Sequence, residues 1–435
     1  MDIIQVFEYQ KLKIGAKGAQ GVEFKKSHFE LMSRYKEKYE VDWYDLGHNS
    51  IHFKNYVGAI SLGDLCIEVL PKVDRASYSE EKSVWRNVLI DMLQTVGDLP
   101  VSASQNAQLR RHKSSILDIY FDLFLSEVET LIHRGLIKRY RKQEGNVKAL
   151  KGSLVFSQHL RKNLVHKERF YTRHTVYDQQ HLLHSILLQT LEVVANSGMK
   201  SSTRGWSGNL LLHFPEQKKV RIESSTFEKL NFDRKSEPYK RAIQIAELIL
   251  LQYHPDIRSG KHELLAIVFD MNDLWERWVL HRLKKDLPDH WKVEGQNTYP
   301  FYRQGTSGSW RTIRPDIVLT NKLDGTILVW DTKWKIPKDG RPSMSDVHQM
   351  HSYAQTVPEN DIAHVTLVYP GTFSEITGSL HKSTTALTSS QHTQLSTLRI
   401  ELLKSDGKMR SRLSKSVLST VTLQFRIATS LHNPT

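Results

Sequence analysis

The sequence predicts a multidomain α+β protein in three parts: a β-rich N-terminal domain (residues 1–80), a central, mainly helical and basic region (81–260), and a C-terminal mixed α/β domain (261–435). Three observations predict it. Apolar residues alternate with a period near two through the first 75 residues. They recur at three and four from residue 83 to about 254, and after residue 267 the two periods interleave. With 435 residues, 39% hydrophobic and 25% charged, the chain has enough apolar mass for several cores.

In the first part, IIQVFEYQ, VDWYDL, SIHFKNYVGAISL and DLCIEVLPKV read as strands, punctuated by Gly15, Gly18, Gly21, Gly58 and Gly63. In the second, VWRNVLIDMLQTV and SILDIYFDLFLSEVETLIHRGL have helical spacing. ALKGSLVFSQHLRKN reads as a turn and strand leading into a short helix. Asp178 is the expected cap of a helix through HLLHSILLQTLEVVAN, and Pro238 suits the first turn of EPYKRAIQIAELILLQYH. In the third, the helix MNDLWERWVLHRLKKDL precedes strand-like WKVEGQNTYPFY, a hairpin, the helix SDVHQMHSYAQTV and the strand HVTLVYP. The Ser/Thr-rich tract 372–397 has no clear period and reads as loop or insertion; STLRIELL reads as a last strand.

Lys and Arg number 61 against 47 Asp and Glu, a net charge of +14. Most of the excess sits in residues 134–173, where twelve basic residues face only Glu144 and Glu168. Arg139, Arg141, Lys142, Lys151, Arg161 and Lys162 lie there, interleaved with Tyr140, Phe156, Phe170 and Tyr171. A solvated face is the plain explanation. A surface for nucleic-acid phosphates or an acidic partner is the functional one, and its binding would weaken steeply with salt.

Several classes are excluded or disfavoured. No apolar run reaches the length of a membrane span, so no membrane partner is expected. MDIIQVFEYQKLK lacks the apolar core of a secretion signal, and the only cysteine, Cys66, sits in an apolar run. A cytoplasmic protein is therefore expected. No G-x-x-x-x-G-K-[ST] occurs, so this chain is expected to bind no nucleotide itself. The pairs His181/His184 and His348/His351 have a metal-compatible spacing but lack a third ligand, and read as ordinary histidines.

The chemistry points to IRPDIVLTNKLDGTILVWDTKWK, residues 313–335. If Asp324-Gly325 closes a two-residue turn, Leu323 pairs with Thr326 and Asp316 lies opposite Lys333. Asp316, Asp331 and Lys333 then share one face, while Ile317, Leu319, Leu328 and Trp330 cover a core on the other. Two carboxylates beside an ammonium suit Mg²⁺, or Mn²⁺ in its place, with the Thr332 carbonyl as a further ligand. An activated water with Lys333 alongside is the apparatus for phosphodiester hydrolysis. A surface ion pair on an edge strand is the plain alternative. Glu276, on the preceding helix, is placed to reach the ion or its water. Gln349 and Tyr353 share one face of the following helix and can contact phosphate or steer the lysine.

With these residues the chain resembles the McrC family, the nuclease subunits of McrBC-type modification-dependent restriction systems, within the PD-(D/E)xK nuclease superfamily. Pro315-Asp316 and Asp331-Thr332-Lys333 match the catalytic pattern, Glu276 the helix acid, and Gln349 and Tyr353 the Gln-x-x-x-Tyr helix. YVGAISLGDLCIEVLPKV resembles the family's N-terminal signature and LKGSLVFSQHLRKN its central Lys-Gly motif. The resemblance implies a Mg²⁺-dependent DNA endonuclease in antiviral defence. It also implies a hexameric McrB-like AAA+ GTPase partner, into whose ring the N-terminal half inserts and whose hydrolysis it stimulates. The chain departs from compact members by its extended N-terminal part and its Ser/Thr-rich C-terminal segment. A non-catalytic, motor-activating adaptor and a stand-alone nuclease remain the alternatives.

Overall fold

A computed structural model describes residues 2–18, 21–63, 65–72, 82–100, 115–197, 200–255, 263–303, 309–337, 341–357, 362–371, 375, 377–381, 392–403 and 410–432. Asp64 and Val73 of the N-terminal signature, and residues 372–374, 376 and 382–391 of the Ser/Thr-rich tract, lie outside these. The fold is mixed α/β with several sheets.

A five-stranded sheet runs in the order Asp2–Phe7, Leu65–Leu70, Tyr56–Leu62, Glu263–Asp270, Tyr253–Pro255. Its first pair is parallel and the rest antiparallel. It is buried on both faces, which is why these strands are almost continuously apolar. On one side Ile4, Ile60 and Ile67 pack against Leu31, Met32 and Tyr35. These last three come from the helix Lys26–Tyr39, which lies within the part read as β-rich. Its buried positions follow helical spacing, a period hidden by Lys and Glu between them. On the other side Phe7, Val57, Ala59, Cys66 and Ile267 join the large helical core.

That core is built by the helices Lys82–Val96, Ile116–Arg134, Leu182–Asn196, Ser201–His213, Lys240–Leu251 and Met271–Asp286. Ser115 and Asp118 form a capping box on the second of these. Buried Glu68 accepts from the Ile116 amide at 2.7 Å and lies 3.7 Å from Arg86, tying the sheet to that helix start. The third helix is capped by His181 and not by Asp178, because the strand Phe170–Asp178 ends only there.

One departure from the sequence reading concerns a boundary. Glu263–Asp270, read as the start of the C-terminal domain, pairs with Tyr56–Leu62 in the N-terminal sheet. In the basic segment the expected strand and short helix are present as Ser153–Leu154 and Phe156–Asn163, and the strand joins Phe170–Asp178 and Arg139–Val147 in an antiparallel sheet that the sequence reading did not include. Asn146 and Asn163 exchange amide hydrogen bonds at 2.7 Å across this arm. Gly152 permits its turn. Its φ is +68°, and a Cβ would lie 2.4 Å from the Arg173 carbonyl oxygen.

The C-terminal sheet runs in the order Trp291–Gly295, Ile317–Asn321, Ile327–Thr332, Ile362–Pro370, His392–Ile400, Thr377–His381. Thr377–His381 falls within the tract read as loop, whereas His392–Ile400 starts in that tract and runs into STLRIELL, where a last strand is expected. Ile317, Leu319, Leu328 and Trp330 face the large core, as the alternation predicts. Val318, Val329, Val365 and Leu367 meet Met350, Tyr353 and Ala354 of the helix Met344–Thr356. The sheet is thus covered on both sides, and its charged residues open at one end between the sheet and that helix.

Candidate active site

The hairpin register differs from the expected one by two residues. Asn321 and Thr326 close a four-residue loop: the Asn321 amide donates to the Thr326 carbonyl at 2.9 Å, and Gly325 to that of Asn321. Ile317 pairs with Trp330 and Thr320 with Ile327. Continuing that ladder puts Asp316 opposite Asp331, not opposite Lys333. Because the slip is even, every side chain keeps its face, and the three charged residues still converge.

Asp331 is fully buried and Thr332 nearly so. The Lys333 ammonium lies 2.6 Å from Asp331 Oδ2 and donates to Gln349 Oε1 at 2.9 Å. Gln349 Nε2 donates in turn to Tyr353 Oη at 2.7 Å, and that hydroxyl lies 3.2 Å from the Arg314 carbonyl oxygen. The lysine is therefore held between a strand carboxylate and a helix amide. Thr332 donates its amide and its hydroxyl to Asp316 Oδ2, at 2.7 and 2.8 Å. The helix carrying Gln349 is fixed at its start: Ser343 caps it, and Asp346 pairs with Lys335 at 2.7 Å.

Burial raises the proton affinity of both aspartates, and at Asp331 the charge of Asp316 adds to it; Lys333 opposes the rise at each. Glu276 lies on the helix Met271–Asp286, whose Asp270 cap also accepts from Asn55 and whose Arg277 forks onto Asp98 at 2.9 and 2.8 Å. Burial first, then Asp316, raise Glu276 to about 7. The sequence reading missed Gln296. Its side chain donates to Glu276 Oε1 at 2.9 Å and its amide to the Asp316 carbonyl at 3.1 Å. It holds a left-handed φ of 58°, uncommon outside glycine. No periodicity announces such a residue; only the Gly295-Gln296 break between two strands hints at it.

The donor set suits a hard cation that keeps waters: two carboxylates, with the Asp316 contacts described above falling on Oδ2 alone, in a site with more acid than base. Among the described residues no three His, Cys, Asp or Glu side chains group closely enough to hold an ion. Glu276 thus stands near the aspartates without forming a three-carboxylate cage with them. The histidine pairs do not make a site either. His184 is buried, bonded to the Gln179 carbonyl oxygen at 2.7 Å and to Tyr239 Oη at 3.0 Å.

The basic residues lie elsewhere, on the arm. Lys142, Lys151, Arg161 and Lys162 are exposed, the last with its ammonium over the Tyr171 ring. Arg139 donates to the Gln180 carbonyl, and Arg141 is largely neutralised by Asp178 at 2.7 Å. Tyr140, Leu150, Phe156, Leu164 and Val165 are exposed beside them.

The family profile described as McrBC 5-methylcytosine restriction system component matches residues 51–370, most of the chain. The chain belongs to the McrBC family. The McrBC match takes in the N-terminal signature, the basic arm, and every residue of the Asp316/Asp331 site. Among solved structures, the chain is similar to one from a Thermococcus gammatolerans assembly of McrB AAA+ hexamers with bound McrC. The TM-score is 0.66 and the identity 18%, over 99% of each chain. A chain of a second structure, the T. gammatolerans McrBC complex, matches at 19% identity over 66% of this chain and 88% of that one, with a TM-score of 0.49. A search of curated proteins finds no match. Among the described residues, no helix is long and apolar enough to cross a membrane.

Proposed function

We propose that this McrBC-family chain is a metal-dependent DNA endonuclease of the PD-(D/E)xK type, working with a hexameric AAA+ GTPase whose hydrolysis it stimulates. The observation that carries the proposal is the pair of opposed carboxylates, Asp316 and Asp331, with Lys333 fixed beside them by Gln349. Asp316, Asp331 and the Thr332 carbonyl would hold Mg²⁺ or Mn²⁺, which when bound supplies the charge that acidifies water and polarises phosphate. Lys333 offsets the negative charge that builds on the phosphate oxygens. Glu276, with a proton affinity near neutrality, takes the proton of the attacking water. Tyr353 and Gln349 keep the lysine in place.

The arm of residues 139–178 serves the partner or DNA backbone through Lys142, Lys151, Arg161 and Lys162, with the exposed apolar residues beside them. Arg139 and Arg141 hold the arm's own base. The likeness to a chain from an assembly of McrB hexamers with bound McrC supports the ring as its partner.

The test is Asp331→Ala, purified with the AAA+ partner and supplied with Mg²⁺ and nucleotide. DNA cleavage is lost while folding and DNA binding persist. Cutting at the wild-type rate overturns the assignment.

A further inference from the structure

The strands Tyr299–Arg303 and Trp310–Ile313 form a two-stranded ribbon that pairs with no other strand among the described residues. It leaves the fold directly after Gln296 and returns into Arg314, Pro315 and Asp316. At its base, Tyr299 and Ile313 pack against the cluster that holds Met350 and Tyr353. Beyond the base its described residues are exposed. Phe301, Tyr302 and Trp310 are 50%, 52% and 55% exposed, and Arg303, Arg311 and Arg314 are exposed too. The Arg303 guanidinium lies over the Trp310 ring, 5.9 Å from its centre. Residues 299–314 contain three arginines and no acid. The Arg314 charge reaches the site, where it lowers the proton affinity of both Glu276 and Asp316.

Three large aromatic surfaces in water cost free energy unless a partner covers them. Exposed arginines interleaved with aromatic rings suit a polyanion that also offers flat, apolar surface. A two-stranded ribbon has the width that a major groove admits. The ribbon is continuous in chain with Asp316, so whatever it grips is held at the proposed reacting centre. We propose that this ribbon is a duplex-DNA-binding element that seats the scissile strand over Asp316 and Asp331. Arg303 with Trp310 on one face of the ribbon, and Arg311 with Tyr302 on the other, meet phosphates and sugars on the two sides of the groove. The proposal rests on the nuclease reading and adds to it the surface that presents the substrate.

The experiment uses the full chain, Arg303→Ala/Arg311→Ala and Tyr302→Ala variants, and a fluorescent duplex oligonucleotide titrated across a salt series. All substituted positions are exposed. The double arginine variant weakens binding and lowers the slope of log affinity against log salt by about 2, one for each lost phosphate contact. Tyr302→Ala weakens binding with the slope unchanged. Calorimetric Mg²⁺ titration of each variant matches wild type, which shows the carboxylate site intact. Unchanged duplex affinity and slope in both variants overturn the ribbon proposal and leave the nuclease reading standing. So does unchanged duplex affinity with lost binding of the AAA+ ring, which would make the ribbon a protein contact. If wild-type Mg²⁺ binding is absent, or insensitive to Asp331→Asn, the nuclease reading fails instead, whatever the duplex titration shows.

Discussion

The indole N–H of Trp334 donates to Oε1 of Glu8 across 2.6 Å, joining the residue after the site lysine to the first strand's end. The same oxygen accepts from the Lys72 amide at 2.8 Å, and all three residues are buried. Trp334 also leans on Trp275, which neighbours Glu276 in sequence. The N-terminal sheet thus braces both the lysine strand and the acid helix. Glu8→Ala strands two buried donors and costs about 2–4 kcal/mol, whereas Trp334→Phe removes one of the two hydrogen bonds to that oxygen and costs about 1 kcal/mol. Urea denaturation of each variant measures this; losses under about 0.5 kcal/mol would refute the brace.

Glu276 sets a pH dependence. Its folded proton affinity stands near 7, above the ordinary 4.5, because burial and Asp316 disfavour its charge. A carboxyl raised on folding stabilises fully below its unfolded value, and that contribution is lost as pH climbs through the folded value. Glu276→Gln removes the loss. The variant should gain on wild type between about pH 4.5 and 7, by on the order of 1–3 kcal/mol, and hold a constant lead above. It should cleave poorly. A stability difference that does not change with pH contradicts this account.

Lys333 is the ammonium that makes two facing carboxylates tolerable. Lys333→Met should raise the proton affinity of the aspartate pair further, so the variant loses more stability at pH 8 than at pH 5. Asp331→Asn should keep or improve stability at pH 8 by removing one of two buried like charges. Both should abolish cleavage. Thermal denaturation at the two pH values, beside a cleavage assay with the AAA+ partner, checks the pattern.

Gln349 acts through the lysine it holds. Gln349→Ala should slow cleavage by about 10–100-fold through misplacement of that group. Mg²⁺ affinity, measured by calorimetry, should stay at the wild-type level. A large loss of metal binding would instead make Gln349 part of the ion site.

Two glycines separate global from local stability. Gly58 has φ +138°, and a Cβ there would stand 2.1 Å from the Ile267 carbonyl oxygen, in the middle of the five-stranded sheet. Gly58→Ala should cost about 3 kcal/mol or more. Gly152→Ala meets the Arg173 backbone only within the arm. It should speed hydrogen exchange over residues 139–178 and weaken ring binding while the global denaturation midpoint stays put. A global loss from Gly152→Ala would show the arm to be integral to the core.

Much of this protein was legible in its sequence. The long helices declared themselves because each buries one face, and burial imposes a 3.6-residue period. The convergence of Asp316, Asp331 and Lys333 survived a register error, because alternation fixes the face and an even slip preserves it. Tertiary structure decided the rest. Glu263–Asp270 crosses to the N-terminal sheet since strand pairing is non-local and leaves no trace in a single segment. The basic segment became a sheet because its residues pair with one another instead of burying a stripe. Gln296 and Glu8 reach the site through a backbone turn and through a contact across more than three hundred residues. Neither is written in any local pattern, because the free energy that places them belongs to neighbours that only folding supplies.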